Sequence, residues 1–154
     1  MAGLLRIELR IPSSWERIED VRQGIRGFAK VVFADDDLEY ALAMATAELL
    51  ENAVKYGRQD GEISALVKEH ESGFVVAVTS AVDHDADIER LHARIAWLNG
   101  FATAGDAYRA RIAQLASDER GRGGMGLARI GYEADCTIEA RQTGGTVTVT
   151  ATRR

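Results

Sequence analysis

Glu48-Leu49-Leu50-Glu51-Asn52-Ala53-Val54-Lys55-Tyr56-Gly57 is the segment from which the rest of the chain can be read. Leu38, Leu42, Ala45, Leu49 and Ala53 lead through it at helical spacing, so it closes an amphipathic helix. Asp35, Asp36 and Asp37 suit the start of that helix, where acidic side chains meet unpaired amides and the positive end of the dipole. Gly57 is a natural terminator. Glu48 and Asn52, one turn apart, share a second stripe about 100° around from the apolar one. Lys55 follows on that stripe, and the small Ala41 and Ala45 leave room beside Glu48. A carboxylate base, an amide oxygen and a cation in this array suit a magnesium-bound nucleotide. A solvated polar face with a Glu51–Lys55 ion pair would produce the same pattern.

Upstream, Leu5, Ile7, Leu9 and Ile11 alternate with charged residues as a half-buried strand that Pro12 ends. Ser13 or Ser14 caps a helix whose apolar face is Trp15, Ile18, Val21, Ile25 and Phe28, with Gly24 and Gly27 weakening it or allowing close packing. Downstream, Ile63, Ala65 and Val67, then Phe74 to Thr79, predict an antiparallel hairpin turning at Ser72-Gly73. Residues 81–117 are polar and helical by pattern, with stripes at Ile88, Leu91, Ile95, Leu98 and at Tyr108, Ile112, Leu115, broken at Asn99-Gly100. A glycine-rich segment enters a helix through Tyr132, and two strands around Gly144-Gly145 close the chain. Hairpins without regular βαβ units predict an α+β two-layer sandwich, a mostly antiparallel sheet with helices on one face, in a single domain over 1–154.

Composition narrows the function classes. Net charge is −5 over 154 residues, and no basic patch is large enough for nucleic acid. No apolar run approaches the ~20 residues of a membrane span, and the N-terminus carries no signal-peptide pattern. Cys136 is the one cysteine, so there is no internal disulfide, and a cytoplasmic protein is expected. Cys136, in a strand pattern, reads as a small buried hydrophobe, and Trp15 and Trp97 as core or interface residues. Asp83, Asp85 and Asp87 begin like a calcium loop, but Ile88 stands where its glycine belongs and Arg94 where its last glutamate belongs. His70, His84 and His92 lack zinc-ligand spacing, and no Gly-x-Ser-x-Gly occurs.

Arg120-Gly121-Arg122-Gly123-Gly124-Met125-Gly126-Leu127 is the second chemical signal. Glycines let backbone amides approach a phosphate closely, and a helix start directly after them favours anions. The segment is neither a P-loop nor a Rossmann fingerprint. By itself it also describes a plain surface loop.

The two segments, in this order, resemble the GHKL superfamily of histidine-kinase catalytic domains, Hsp90, gyrase B and bacterial anti-sigma kinases. Glu48 to Gly57 looks like its N box, Gly121 to Leu127 like its second glycine box, and Gly145-Thr146 like the Gly-Thr near adenine. The resemblance implies ATP and Mg²⁺: Glu48 as general base and Asn52 as the Mg²⁺ ligand. Lys55, Gly123, Gly124, Gly126 and Leu127 would lie at the phosphates, and Thr146 near the adenine. The family's Asp-x-Gly-x-Gly is replaced by Thr79-Ser80-Ala81-Val82-Asp83, which leaves Asp83 as the candidate for the adenine aspartate. The long insert also resembles SiaB-type switch kinases, which phosphorylate a small partner on Thr. The expectation is a serine/threonine kinase acting on a small partner, an anti-sigma-antagonist-like protein, with a homodimer left open. The alternative is a non-catalytic GHKL-like module that regulates a partner by contact.

Overall fold

The computed structural model of the chain describes residues 6–117 and 125–153. Strand β1 (Arg6–Pro12) leads through a 3₁₀ turn at Trp15–Arg17 into α1 (Ile18–Phe33), then α2 (Asp36–Tyr56). The hairpin β2 (Glu62–His70) and β3 (Gly73–Ala81) follows, then α3 (Asp85–Asn99), α4 (Ala104–Ser117) and α5 (Met125–Tyr132). The hairpin β4 (Thr137–Thr143) and β5 (Thr146–Arg153) ends it.

Every strand pairing is antiparallel, in the order β1-β2-β3-β5-β4. Period-two patterning sorts the sheet's faces. Ile63, Ala65, Val67, Phe74, Val76, Val78, Ile138, Val147, Val149 and Ala151 are buried in the core shared with the helices. The opposite face is half-exposed, with Ser64, Leu66, Ala77, Thr79, Thr148 and Thr150, and Thr79 and Thr148 share a hydroxyl hydrogen bond of 2.7 Å across it. This is the expected α+β two-layer sandwich.

Helix α2 is the spine of the helical layer. Asp35 caps it, its carboxylate accepting from the amides of Asp37 at 2.9 Å and Leu38 at 3.2 Å. From Ala41 to Leu50 every residue but Glu48 is buried, so the helix is enclosed nearly all round there. Gly57 ends it in an extended conformation, not the left-handed one expected of a terminating glycine. A Cβ at Gly57 would collide with the Ala53 carbonyl and come within 3.3 Å of the Ala81 carbonyl. Glycine is needed there for close approach to the end of β3, which is secured by Arg58 N donating to Ala81 O at 2.8 Å.

Two faces differ from the sequence pattern. On α1 the buried residues are Ile18, Ile25 and Ala29, while Phe28 is 55% exposed and Trp15 57% exposed. Nothing lies within 4 Å of a Cβ built at Gly24 or Gly27, so these glycines support no close packing. On α4, Ala107 and Arg111 are buried and Ile112 is exposed, because the helix packs on the short α5 by its small-residue side. Tyr108 stacks on Tyr132 with ring centroids 4.9 Å apart, and Trp97 meets Phe101 edge-on at 4.9 Å. Cys136 is buried, its Sγ 3.5 Å from Ala134 O, and burial pushes its thiol up to about 12. Among the described residues no helix is long and apolar enough to cross a membrane.

Candidate functional site

Glu48 lies where α2 passes α1 and α5. Its side chain is only 15% exposed, at the floor of a 270 Å³ cleft. The cleft is walled by Glu19, Arg22 and Arg26 of α1, Tyr40 and Glu51 of α2, and Arg129 of α5. Arg129 Nη1 donates to Glu48 Oε1 at 2.8 Å, and Arg129 Nε donates to Glu133 Oε2 at 3.0 Å. The other oxygen of Glu48 rests on the backbone of Gly126, where any Cβ would collide with it. Burial pushes the Glu48 carboxyl above the usual carboxylate range; Glu51 adds to this and Arg129 opposes it.

Asn52, one turn on, faces elsewhere. It lines a cavity of about 20 Å³ with Leu49, Ala53 and Tyr56 of α2, Val78 and Ser80 of β3, Leu91 of α3, and Val147 and Val149 of β5. Its Nδ2 is buried without a hydrogen-bond partner. Leaving such a group unpaired costs about 1–3 kcal/mol. A cavity this size holds about one water molecule, whereas small-molecule sites run to about 300–1,000 Å³. Leu91, with Ile88 and Ile95, is the buried stripe of α3, so the first part of the helical segment covers Asn52.

The other expected site residues fall outside that cavity. Lys55 is exposed, its Nζ 5.1 Å from the Tyr56 ring centroid, and it forms no ion pair with Glu51. Lys55 and Asp83 share an outer cleft of 650 Å³ with Arg58, Asp60, His84 and Asp87. Asp83 lies 3.9 Å from Arg58 Nη1 there, and Ser80, not Asp83, reaches the Asn52 cavity. Thr146 is exposed at the hairpin turn, Oγ1 donating to Thr143 O at 2.9 Å, while its neighbour Val147 points into the cavity. Val82 N donates to Gly145 O at 2.9 Å, which pins the segment after β3 in place. Gly126 touches Glu48, and Leu127 is buried in the core. Gly123 and Gly124 lie outside the described residues.

Sequence reasoning missed Arg129 and Leu91. Arg129 stands 81 positions from Glu48, and its local sequence shows only the i,i+4 pairing with Glu133. Leu91 was legible as part of an apolar stripe, with nothing to say what that stripe covers.

A helix with a half-buried carboxylate, a carboxamide one turn on, and a second helix whose glycine meets the carboxylate, all over an antiparallel sheet, define a class. The chain belongs to the histidine kinase-like ATPase domain family, whose model matches residues 11–152. Among solved structures, a chain of the SiaB–SiaC complex from Pseudomonas aeruginosa superposes with a TM-score of 0.73 at 19% identity. The match covers 97% of this chain and 89% of that one, and it establishes the shared fold. No functionally curated protein matches the chain.

Proposed function

We propose that the protein binds Mg-ATP and transfers its γ-phosphoryl group to a Ser or Thr hydroxyl of a small partner protein in the cytoplasm. It would act as one ATP-binding domain with residues 81–117 as a helical insert. The observation that carries this reading is the Glu48 carboxylate. Its side chain is largely buried, held at one oxygen by Arg129, packed at the other against Gly126, and set one turn from the unpartnered Asn52 amide nitrogen. A solvated surface glutamate has no need of either constraint. The partner is supported by the fold neighbour, which was solved as a two-protein complex.

In this reading Glu48 accepts the proton of the attacking hydroxyl. The hydroxyl oxygen forms a bond to the γ-phosphorus, and the bond from that phosphorus to the bridging oxygen breaks, leaving ADP. Asn52 would hold Mg²⁺ through its side-chain oxygen, and the ion would neutralise phosphate charge. The unpartnered Nδ2 of the same amide is a donor, so it calls for an acceptor such as a phosphate oxygen and not for the ion. Gly126 lets α5 close on Glu48 without a side chain between them. The hydroxyl reaches Glu48 from the α1 side, where the cleft is open.

The space beside Asn52 has to open first. Leu91 fills the space beside Asn52, so α3 must shift for a nucleotide to enter. That same packing favours a second reading, a module with a closed site that acts by contact alone. Calorimetry and thermal melts with millimolar Mg-ATP and Mg-ADP decide between them. Binding raises the melting temperature, because a ligand selective for the native state stabilises it. No heat and no shift with either nucleotide sinks the kinase reading. Phosphate transfer to a co-purified partner then separates turnover from binding.

A further inference from the structure

The contact between Arg129 and Glu48 bears on how the base works. Two contacts converge on the Glu48 carboxylate, and a third orients one of them. Its Oε1 receives Arg129 Nη1 at 2.8 Å, and its Oε2 abuts the Gly126 backbone. The guanidinium is itself oriented by Glu133, whose Oε2 takes its Nε at 3.0 Å. Gly126 and Arg129 stand one turn apart on α5, so a single short helix holds one oxygen of the carboxylate and packs against the other.

The surrounding charges make Arg129 more than a packing contact. Glu51 on α2 and Glu133 on α5 both disfavour a negative Glu48, as does burial. From α1, Arg22 and Arg26 line the same cleft, but Arg22 is held by Glu19, and Arg26 Nε by Glu39 at 3.1 Å. Glu19 brings another carboxylate to the cleft, and Tyr40 a hydroxyl beside Arg129. Among the described residues, Arg129 is the cation that touches Glu48. A general base must be ionised before it can accept a proton, and it must stay within hydrogen-bond reach of the donor.

We propose that Arg129 is the positioning residue of Glu48: it holds Oε1 in place and supplies the positive charge beside it. The proposal rests on the phosphotransfer reading of Glu48. It adds that α5 carries the base's partner as well as the glycine against the base. It also explains why an arginine is suited to this position, since one guanidinium binds Glu48 and Glu133 at once through two different nitrogens.

The test uses the full chain with Arg129→Met, which keeps the aliphatic stem, and Arg129→Lys, which keeps a single charge. Glu48 is titrated by carboxyl carbon NMR in the free protein. Its midpoint moves upward in Arg129→Met and returns toward wild type in Arg129→Lys. Phosphotransfer in Arg129→Met falls by about tenfold to a hundredfold in kcat, and the acid limb of its pH profile moves upward in step. KM for Mg-ATP changes less than about threefold, because Arg129 holds no nucleotide. An unmoved Glu48 midpoint in both variants overturns the proposal. So does a loss of rate explained wholly by KM. If wild-type protein neither binds nor uses ATP, the kinase reading fails, while the carboxyl titration still decides whether Arg129 governs Glu48. If Arg129→Met does not fold, an unmoved midpoint in Arg129→Lys together with wild-type kcat overturns it.

Discussion

Glu48 and Asn52 stand one turn apart on a single helix yet occupy opposite environments. Glu48 opens on a polar cleft, with a cation on one oxygen and a glycine backbone on the other. Asn52 is half-buried among Leu49, Tyr56, Val78, Leu91, Val147 and Val149, with a buried, unpartnered amide nitrogen. One end is organised and accessible in the free protein. The other is closed and carries an unmet hydrogen bond. The difference teaches that residues one turn apart on a helix can be set in different ways, one held by a cation from a distant helix and the other left with an unpaired donor.

The largest effect that would sharpen this contrast is at Glu48. Glu48→Gln keeps the shape and removes the base, so phosphotransfer drops by about 10²- to 10⁴-fold while Mg-ADP affinity stays within about threefold. A wild-type rate in this variant would break the assignment of the open end. Next comes Asn52→Leu, which replaces the orphaned amide with an apolar side chain of similar size. Its expected signature is crossed: a free-protein melting temperature raised by a few degrees, from relief of about 1–3 kcal/mol, and Mg-nucleotide binding lost. A lowered melting temperature with binding retained would show that Asn52 is ordinary core. Leu91→Ala should enlarge the closed end. It costs about 2 kcal/mol or more of folding stability and raises Mg-ADP affinity by a few-fold in calorimetry. Weaker nucleotide binding in this variant would mean that Leu91 is part of the binding surface and not its cover.

The smallest effect is the pH dependence of stability. Burial, then Glu51, raises the folded-state pKa of Glu48. A raised folded value gives stability that is complete below the unfolded pKa and is lost as pH rises through the folded one. The stability of wild type relative to Glu48→Gln should therefore be greatest in acid and shrink toward neutrality, in melts taken from pH 4 to pH 8. An opposite slope would show that Arg129 outweighs burial.

Much of the architecture was legible because it rests on short-range rules. Asp35 capping, the apolar stripe of α2 and the period-two strands all reappear in the fold. The α1 and α4 faces were misread because the helical period allows neighbouring stripes, and tertiary packing chose Ala29 over Phe28 and Ala107 over Ile112. The helix of Glu48 and Asn52 was readable, but their divergence was not, since both occupy one stripe at helical spacing. Lys55 and Asp83 fell on the outer cleft, where Lys55 stands in the last turn of α2 and Asp83 follows β3. The partners of the two key residues, Arg129 and Leu91, come from distant helices, and no local pattern encodes such a pairing.

The buried Cys136 thiol gives the molecule its own reporter. It sits just past α5, beside a 190 Å³ cavity also lined by Leu98, Ala107 and Leu127, and burial pushes its pKa to about 12. Thiolate is the species that alkylating reagents attack, so a closed molecule reacts very slowly. Labelling of the unmodified protein therefore measures how often the α5 edge opens. A nucleotide that tightens α5 against α2 would lengthen that reaction time, with no mutation or partner needed.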